Sequence, residues 1–336
     1  MGIDLPLVWA IIILFAVMMY VVMDGFDLGI GILFGVVAGK GDRDVMMNSV
    51  APVWDGNETW LVLGGAGLMV AFPVAYSTIL SSLYLPLVLM LVGLVFRGVA
   101  FEFRFKASDD RRWLWDRAFA GGSIVATFCQ GLTLGAYLSG LAVGDSGPAH
   151  ASVAWLTPFN VFVGVGLLAT YALLGGTWLV MKTEGDLQHR MRETSGKLSI
   201  ALLVVIAGIS IWTPLEHPAI AARWFSLPNA LFFAPVPLLV VVATVLLRRS
   251  LRHPSSHAAP FVLTLVLVFL GYSGLGISLW PNVIPPSVSI WAAAGPPQSL
   301  GFALVGALFI IPIILGYTAW GYWVFRGKVR PGEVYH

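Results

Sequence analysis

Long apolar runs alternate with short polar connections along the whole chain. A helix needs about 20 apolar residues to cross roughly 30 Å of hydrocarbon. Nine runs reach or approach that length, at about Leu5–Val37, Trp54–Phe72, Ile79–Phe96, Ala118–Val143, Leu156–Val180, Leu198–Thr213, Ala230–Leu247, Pro260–Trp280 and Leu300–Phe325. The pattern predicts an all-α polytopic membrane protein, a single transmembrane domain over residues 1–336 with about nine spans. The sixth run is the shortest, and Pro214 is expected to close it early. The first run has no basic leader and passes straight into polar, functional-looking residues, so it reads as a retained span and not a cleaved signal.

Composition sharpens this picture. Of 336 residues, 58% are hydrophobic and 11% charged, with a mean hydropathy of +0.87. A soluble domain carries about 25% charged residues. The net charge is only +2 and forms no basic stripe, which excludes a nucleic-acid binder. The single cysteine, Cys129, forms neither an internal bridge nor a paired metal site. With nine crossings, every Lys and Arg except Arg223 falls on one side. The positive-inside rule then puts the N-terminus outside and the C-terminus in the cytoplasm. Gly25 and Gly29, Gly31 and Gly35, and Gly131 and Gly135 form small-residue faces suited to close helix contact, within this chain or with a partner. The uncharged connection Pro281–Ser299 is expected to lie at the membrane interface as a lid.

Charges inside apolar spans cost several kcal/mol, so each is a functional candidate. Asp24 and Asp27 interrupt the first span at a spacing that puts both on one helix face. Measured from Gly39, they lie about 22 Å and 18 Å deep at 1.5 Å per residue. Asp55 and Glu58 repeat the spacing at the start of the second span, and Glu102 follows the third. All five acids fall on the cytoplasmic half or the midplane, a one-sided line that suits a proton path. Carboxyl groups suit it because removal from water makes them hold protons near neutral pH. Each has a structural alternative. Asp24 or Asp27 could pair with a buried Arg or with backbone donors. Asp55 and Glu58 could serve the helix N-terminus. Glu102 lies among Arg97, Arg104 and Lys106 and could join an interfacial ion-pair network.

The six histidines all fall in connections or the tail, while haem in a membrane needs His, Met or Cys projecting from spans. A bis-His haem or a His-rich copper centre is excluded for this chain alone, and no P-loop, HExxH, GxSxG or Rossmann fingerprint occurs. Any redox chemistry belongs to a partner.

Four segments together resemble subunit II of the cytochrome bd-type ubiquinol oxidases. They are Asp24-Gly-Phe-Asp-Leu-Gly-Ile-Gly31, Asn48-Ser-Val-Ala-Pro-Val-Trp-Asp-Gly-Asn57, Phe96-Arg-Gly-Val-Ala-Phe-Glu-Phe-Arg104 and Pro312-Ile-Ile-Leu-Gly-Tyr-Thr-Ala-Trp-Gly-Tyr-Trp323. Gly98 and Glu102 stand where Pro and Asp are familiar. The short connection between the sixth and seventh spans resembles the cyanide-insensitive branch.

The resemblance implies two four-helix bundles plus one peripheral helix. It implies a bacterial plasma-membrane complex that oxidises quinol and reduces oxygen to water, generating a proton-motive force. Two haems b and one haem d would sit in the haem-bearing subunit I. Ubiquinone would be the substrate, with room for a second quinone held structurally in this chain. A small single-span accessory subunit would complete the complex. In that family Asp24, Asp27, Asp55 and Glu102 line a hydrophilic channel that carries cytoplasmic protons; Glu58 matches a position that is often not acidic. An ion-coupled secondary transporter is the competing class, but the second half of the chain has no matching acids. A purely structural assembly subunit is the other.

Overall fold

The computed structural model describes residues 3–141, 155–227, 229–330 and 332, apart from the side chains of Ala219 and Phe232. Residues 142–143 of the expected fourth span, His150 and His336 lie outside the described residues. The chain runs α1 (Leu5–Phe34), α2 (Lys40–Asn48), α3 (Trp54–Ala71), α4 (Pro73–Ser82), α5 (Tyr84–Arg104), α6 (Arg112–Ser139), α7 (Pro158–Lys182), α8 (Gly185–Glu216), α9 (Pro218–Phe225), α10 (Asn229–Phe233), α11 (Pro235–Arg252) and α12 (Ala259–Leu279). A short hairpin, β1 (Asn282–Ile284) and β2 (Val288–Ser289), precedes α13 (Pro297–Val324).

Among the described residues, eight helices are long and apolar enough to cross a membrane: α1, α5, α6, α7, α8, α12, α13 and the stretch Asn229–Arg252 that contains α11. The expected second span is α3. Its 18 residues form a helix, but Asp55, Asn57 and Glu58 dilute its hydropathy and it is not among the eight.

Three expected boundaries move. Helix α1 ends at Phe34 and the chain then turns, so Asp24 and Asp27 lie only about 15 Å and 10 Å from that helix end at 1.5 Å per residue. The third span begins at Tyr84, because residues 79–82 belong to α4, and it continues to Arg104. The sixth span is a 32-residue helix starting at Gly185 and running through Pro214. A proline in the last turn removes one hydrogen bond where few remain, so it does not end the helix at once.

Helix α1 packs on α3, α6 and α7, and α5 packs on α6; α7 and α8 pack with α11 and α12. The spans thus form a first bundle (α1, α3, α5, α6), a second (α7, α8, α11, α12) and the peripheral α13, which buries only Leu300 and Ala307. Glycines set the closest approaches. A methyl group on Gly29 would lie 1.8 Å from the Tyr171 carbonyl oxygen, and Gly175 faces Gly29 in return. Gly31 abuts Ser123, Gly93 abuts Gly122, and Gly131 abuts Gly164.

The 281–299 connection folds onto the N-terminal end of α1. Trp9 Nε1 donates to the Leu300 carbonyl at 3.0 Å, Trp291 Nε1 to Asp4 at 3.0 Å, and the Tyr137 hydroxyl to the Val283 carbonyl at 2.6 Å. At the other end, four arginines are matched to acids. Arg104 contacts Asp44 and Asp116, both at 2.6 Å, and Arg43 reaches Asp116 at 2.8 Å. Arg112 lies 3.8 Å from Asp44, and Arg190 of α8 pairs with Asp42.

Candidate functional site

The core of the first bundle is polar. Asp24 and Asp27 are fully buried on one face of α1, as their spacing requires. Arg97 of α5 is equally buried, and its Nη2 donates to Asp24 Oδ1. Its Nη1 lies 3.2 Å from Glu58 Oε1, whose side chain is 30% exposed. Arg97 is thus the bridge between the buried Asp24 and the half-exposed Glu58. Its guanidinium sits 5.8 Å from each of the Trp54 and Phe101 rings, which stack on one another at 4.8 Å. Trp54 packs over Gly98, where a methyl group would come within 3.3 Å of the indole.

Asp27 has a different partner. Asn57 Nδ2 donates to Asp27 Oδ2 at 2.7 Å and to the Met23 carbonyl at 3.3 Å. The Tyr322 hydroxyl, from α13, donates to Asn57 Oδ1 at 2.9 Å. Beside Tyr322 is a small recess lined by Asn48, Ser49, Trp178 and Lys182. A further chain continues toward the N-terminal end of α1. The Tyr20 hydroxyl lies beside Asp24, Gln130 Nε2 donates to Tyr20 at 2.6 Å, and the Tyr171 hydroxyl donates to Gln130 Oε1 at 3.0 Å.

The five candidate acids therefore separate. Asp24 and Glu58 meet on Arg97, while Asp27, held by Asn57, lies within electrostatic reach of it. Asp55 is exposed on the first turn of α3, within electrostatic reach of Glu58. Glu102 is exposed on α5, 3.3 Å from Lys106 Nζ, and not joined to Arg97 or Arg104. Arg97, Asn57, Tyr20, Gln130 and Tyr322 are additional members that the reading of acids alone did not find. The signal for Arg97 was present: the apolar run around it continues to Phe101, which puts it inside a span.

Two carboxyl groups contact one guanidinium and a third lies nearby, so the charge of the cluster is set by the number of protons it holds. Asp24 Oδ2 and Asp27 Oδ1 are buried with no hydrogen-bond partner. Arginine keeps its charge at any accessible pH, so Arg97 can hold a carboxylate in place without competing for the proton.

Among the described residues no group of three or more His, Cys, Asp and Glu side chains is arranged to hold a metal ion. The described histidines lie in connections or near the polar ends of helices, and Cys129 is buried in helix packing.

A polytopic helical protein with carboxyl groups buried beside an arginine belongs to the class of integral membrane proteins whose buried charges mark a candidate functional site. The chain belongs to the family described as cytochrome bd terminal oxidase subunit II, which it matches over residues 5–325. It is 30% identical to the cytochrome bd-I ubiquinol oxidase subunit 2 of Escherichia coli K12, over 98% of this chain and 96% of that one. The cytochrome bd ubiquinol oxidase subunit 2 of Bacillus subtilis is 27% identical over 97% of each chain. The structure of bd oxidase from Geobacillus thermodenitrificans has the same fold, with a TM-score of 0.76 at 14% identity over 96% of this chain and 99% of that one. The protein is therefore an integral membrane protein of a bacterial membrane and a subunit of a haem-containing oxidase, in complex with subunit I.

Proposed function

We propose that this chain is the non-haem subunit of a terminal quinol:oxygen oxidoreductase and supplies a proton path to the partner that reduces oxygen. The family match across nearly the whole chain carries this reading. The relatives are named ubiquinol oxidase subunits, which makes ubiquinol the expected substrate. The two haems b and the haem d belong to subunit I, where they supply the oxygen chemistry. A structurally held quinone in this chain and a small single-span third subunit belong to the same proposal. The chain works as one transmembrane domain with its N-terminus outside and its basic end in the cytoplasm.

In this reading Asp55 and Glu102, both exposed, gather protons at the basic end. Glu58 takes them from the surface and Asp24 receives them in the core. Arg97 fixes the Asp24 carboxylate and offsets its charge, so a proton can arrive and leave without moving the side chain. Asn57 orients Asp27 as a second acceptor. An amide does not relay protons as a carboxyl does, so Asn57 separates Asp27 from the Tyr322 hydroxyl. Protons drawn only from inside store about 2.3 kcal/mol per charge per 100 mV.

The test starts with the chain tagged at its C-terminus and purified gently from its native membrane. A dithionite-reduced minus oxidised spectrum with b and d bands, together with a second large subunit on a gel, supports the oxidase. A colourless, partner-free sample overturns it and favours transport. Asp27→Asn is expected to slow oxygen consumption with haem content near normal. Loss of haem at unchanged turnover per haem would favour a purely structural assembly role.

A further inference from the structure

We propose that the cleft between α8 and α11, at the basic end of the second bundle, binds the phosphate headgroup of an anionic membrane phospholipid. The cleft has a volume of about 410 Å³ and is lined by Arg192, Arg248, Arg252, His189, Glu193 and Gly196 among others.

The argument begins with charge. Among the described residues, Arg192, Arg248 and Arg252 have no carboxylate within ion-pair distance, whereas Arg43 on α2 and Arg97, Arg104 and Arg112 of the first bundle each have at least one. The one acid lining the cleft, Glu193, lies 3.3 Å from His189 Nε2. Arg192 is buried and spends its donors on backbone. Nη1 reaches the carbonyls of Leu251 at 3.3 Å and His253 at 3.1 Å, and Nη2 those of Pro254 at 3.0 Å and Ser256 at 2.7 Å. These bonds fix its position and leave its charge unneutralised. Arg248 is anchored by one bond, Nη1 to the Gly196 carbonyl at 2.8 Å, and keeps other donors free. Arg252 is exposed.

The surroundings favour a lipid over a free anion. Arg252, Arg248, Val245 and Val241 follow one another at helical spacing along one face of α11, basic at the end and apolar behind it. Val241 and Val245 are exposed. On α8, Gly196, Ile200 and Val204 repeat the arrangement at intervals of four, again with the two apolar residues exposed. A methyl group on Gly196 would touch nothing, so the glycine leaves a notch between the arginines. A phosphodiester in the notch would put its acyl chains along the two apolar faces. Basic pockets between membrane helices at the cytoplasmic edge recognise such headgroups.

The test uses the intact complex in nanodiscs of equal parts phosphatidylglycerol and phosphatidylcholine, with retained lipid counted by native mass spectrometry. The expected result is several-fold enrichment of phosphatidylglycerol, reduced to the bulk ratio in Arg248→Gln/Arg252→Gln. Arg192 is left intact because it holds the loop after α11. Arg248→Lys/Arg252→Lys keeps the charge and should restore most of the enrichment, which separates a charge effect from misfolding. Equal enrichment in the Gln variant would overturn the proposal. So would complete displacement by millimolar inorganic phosphate, which would mark an anion site without a lipid.

Discussion

The two bundles differ in how their buried polar side chains are satisfied. In the first, buried polar side chains bond between helices and carry charge: Asp24 to Arg97, Asp27 to Asn57, Tyr20 to Gln130. In the second, most buried hydroxyls bond back to their own helix. Thr177 donates to the Leu173 carbonyl at 2.9 Å, Thr244 to Val240 at 2.8 Å and Thr264 to Pro260 at 2.9 Å. Such hydroxyls satisfy themselves and ask nothing of a neighbour. The difference shows that polarity in a membrane helix is a site only when its partner lies on another helix.

The largest test of that contrast is Arg97→Ala. It leaves Asp24 buried without a counter-charge, and breaking a buried pair costs about 3–5 kcal/mol. The complex should lose thermal stability in detergent, and adding Asp24→Asn should recover a large part. If the double variant is no better than Arg97→Ala, the two do not act as a pair. Next is Gly29→Ala, at the crossing of α1 and α7 that joins the bundles. Overpacking there should cost about 1–3 kcal/mol. Gly274→Ala, in open space, should leave the melting temperature unchanged.

Asp24→Asn should slow oxygen uptake about tenfold, equivalent to about 1.4 kcal/mol of barrier, with haem content preserved. Unchanged uptake would remove Asp24 from the path. The smallest effect should come from Thr264→Val in the second bundle. Its stability change should stay within about 0.5 kcal/mol, the range of substitutions without a named mechanism, with turnover unaltered. A larger loss on either measure would mean that the second bundle is more than an apolar scaffold.

Much of this was legible in the chain itself. Nine apolar runs mark the nine helices of 18 or more residues among the described residues, eight of them apolar enough to cross a membrane. The spacing of Asp24 and Asp27 fixes their shared face, because spacing is a local property of the helix. Helix ends were less legible. Leu83 breaks a run that hydropathy joins, and α8 extends over polar residues 185–197 because Arg192 finds carbonyl partners across the loop after α11.

The sequence alone determined the class of protein, the apolar runs that become its long helices and the acids that interrupt or border them. The tertiary structure decided which acids meet. Asp24 and Arg97 stand 73 positions apart, and Tyr322 and Asn57 stand 265 apart. Burial of a side chain is a property of its neighbours and not of its own helix. Hence Glu58 faces the buried arginine while Asp55, three residues away, faces outward. Hence also Arg97, placed by its basic neighbours among the loop residues, lies at the centre of the site.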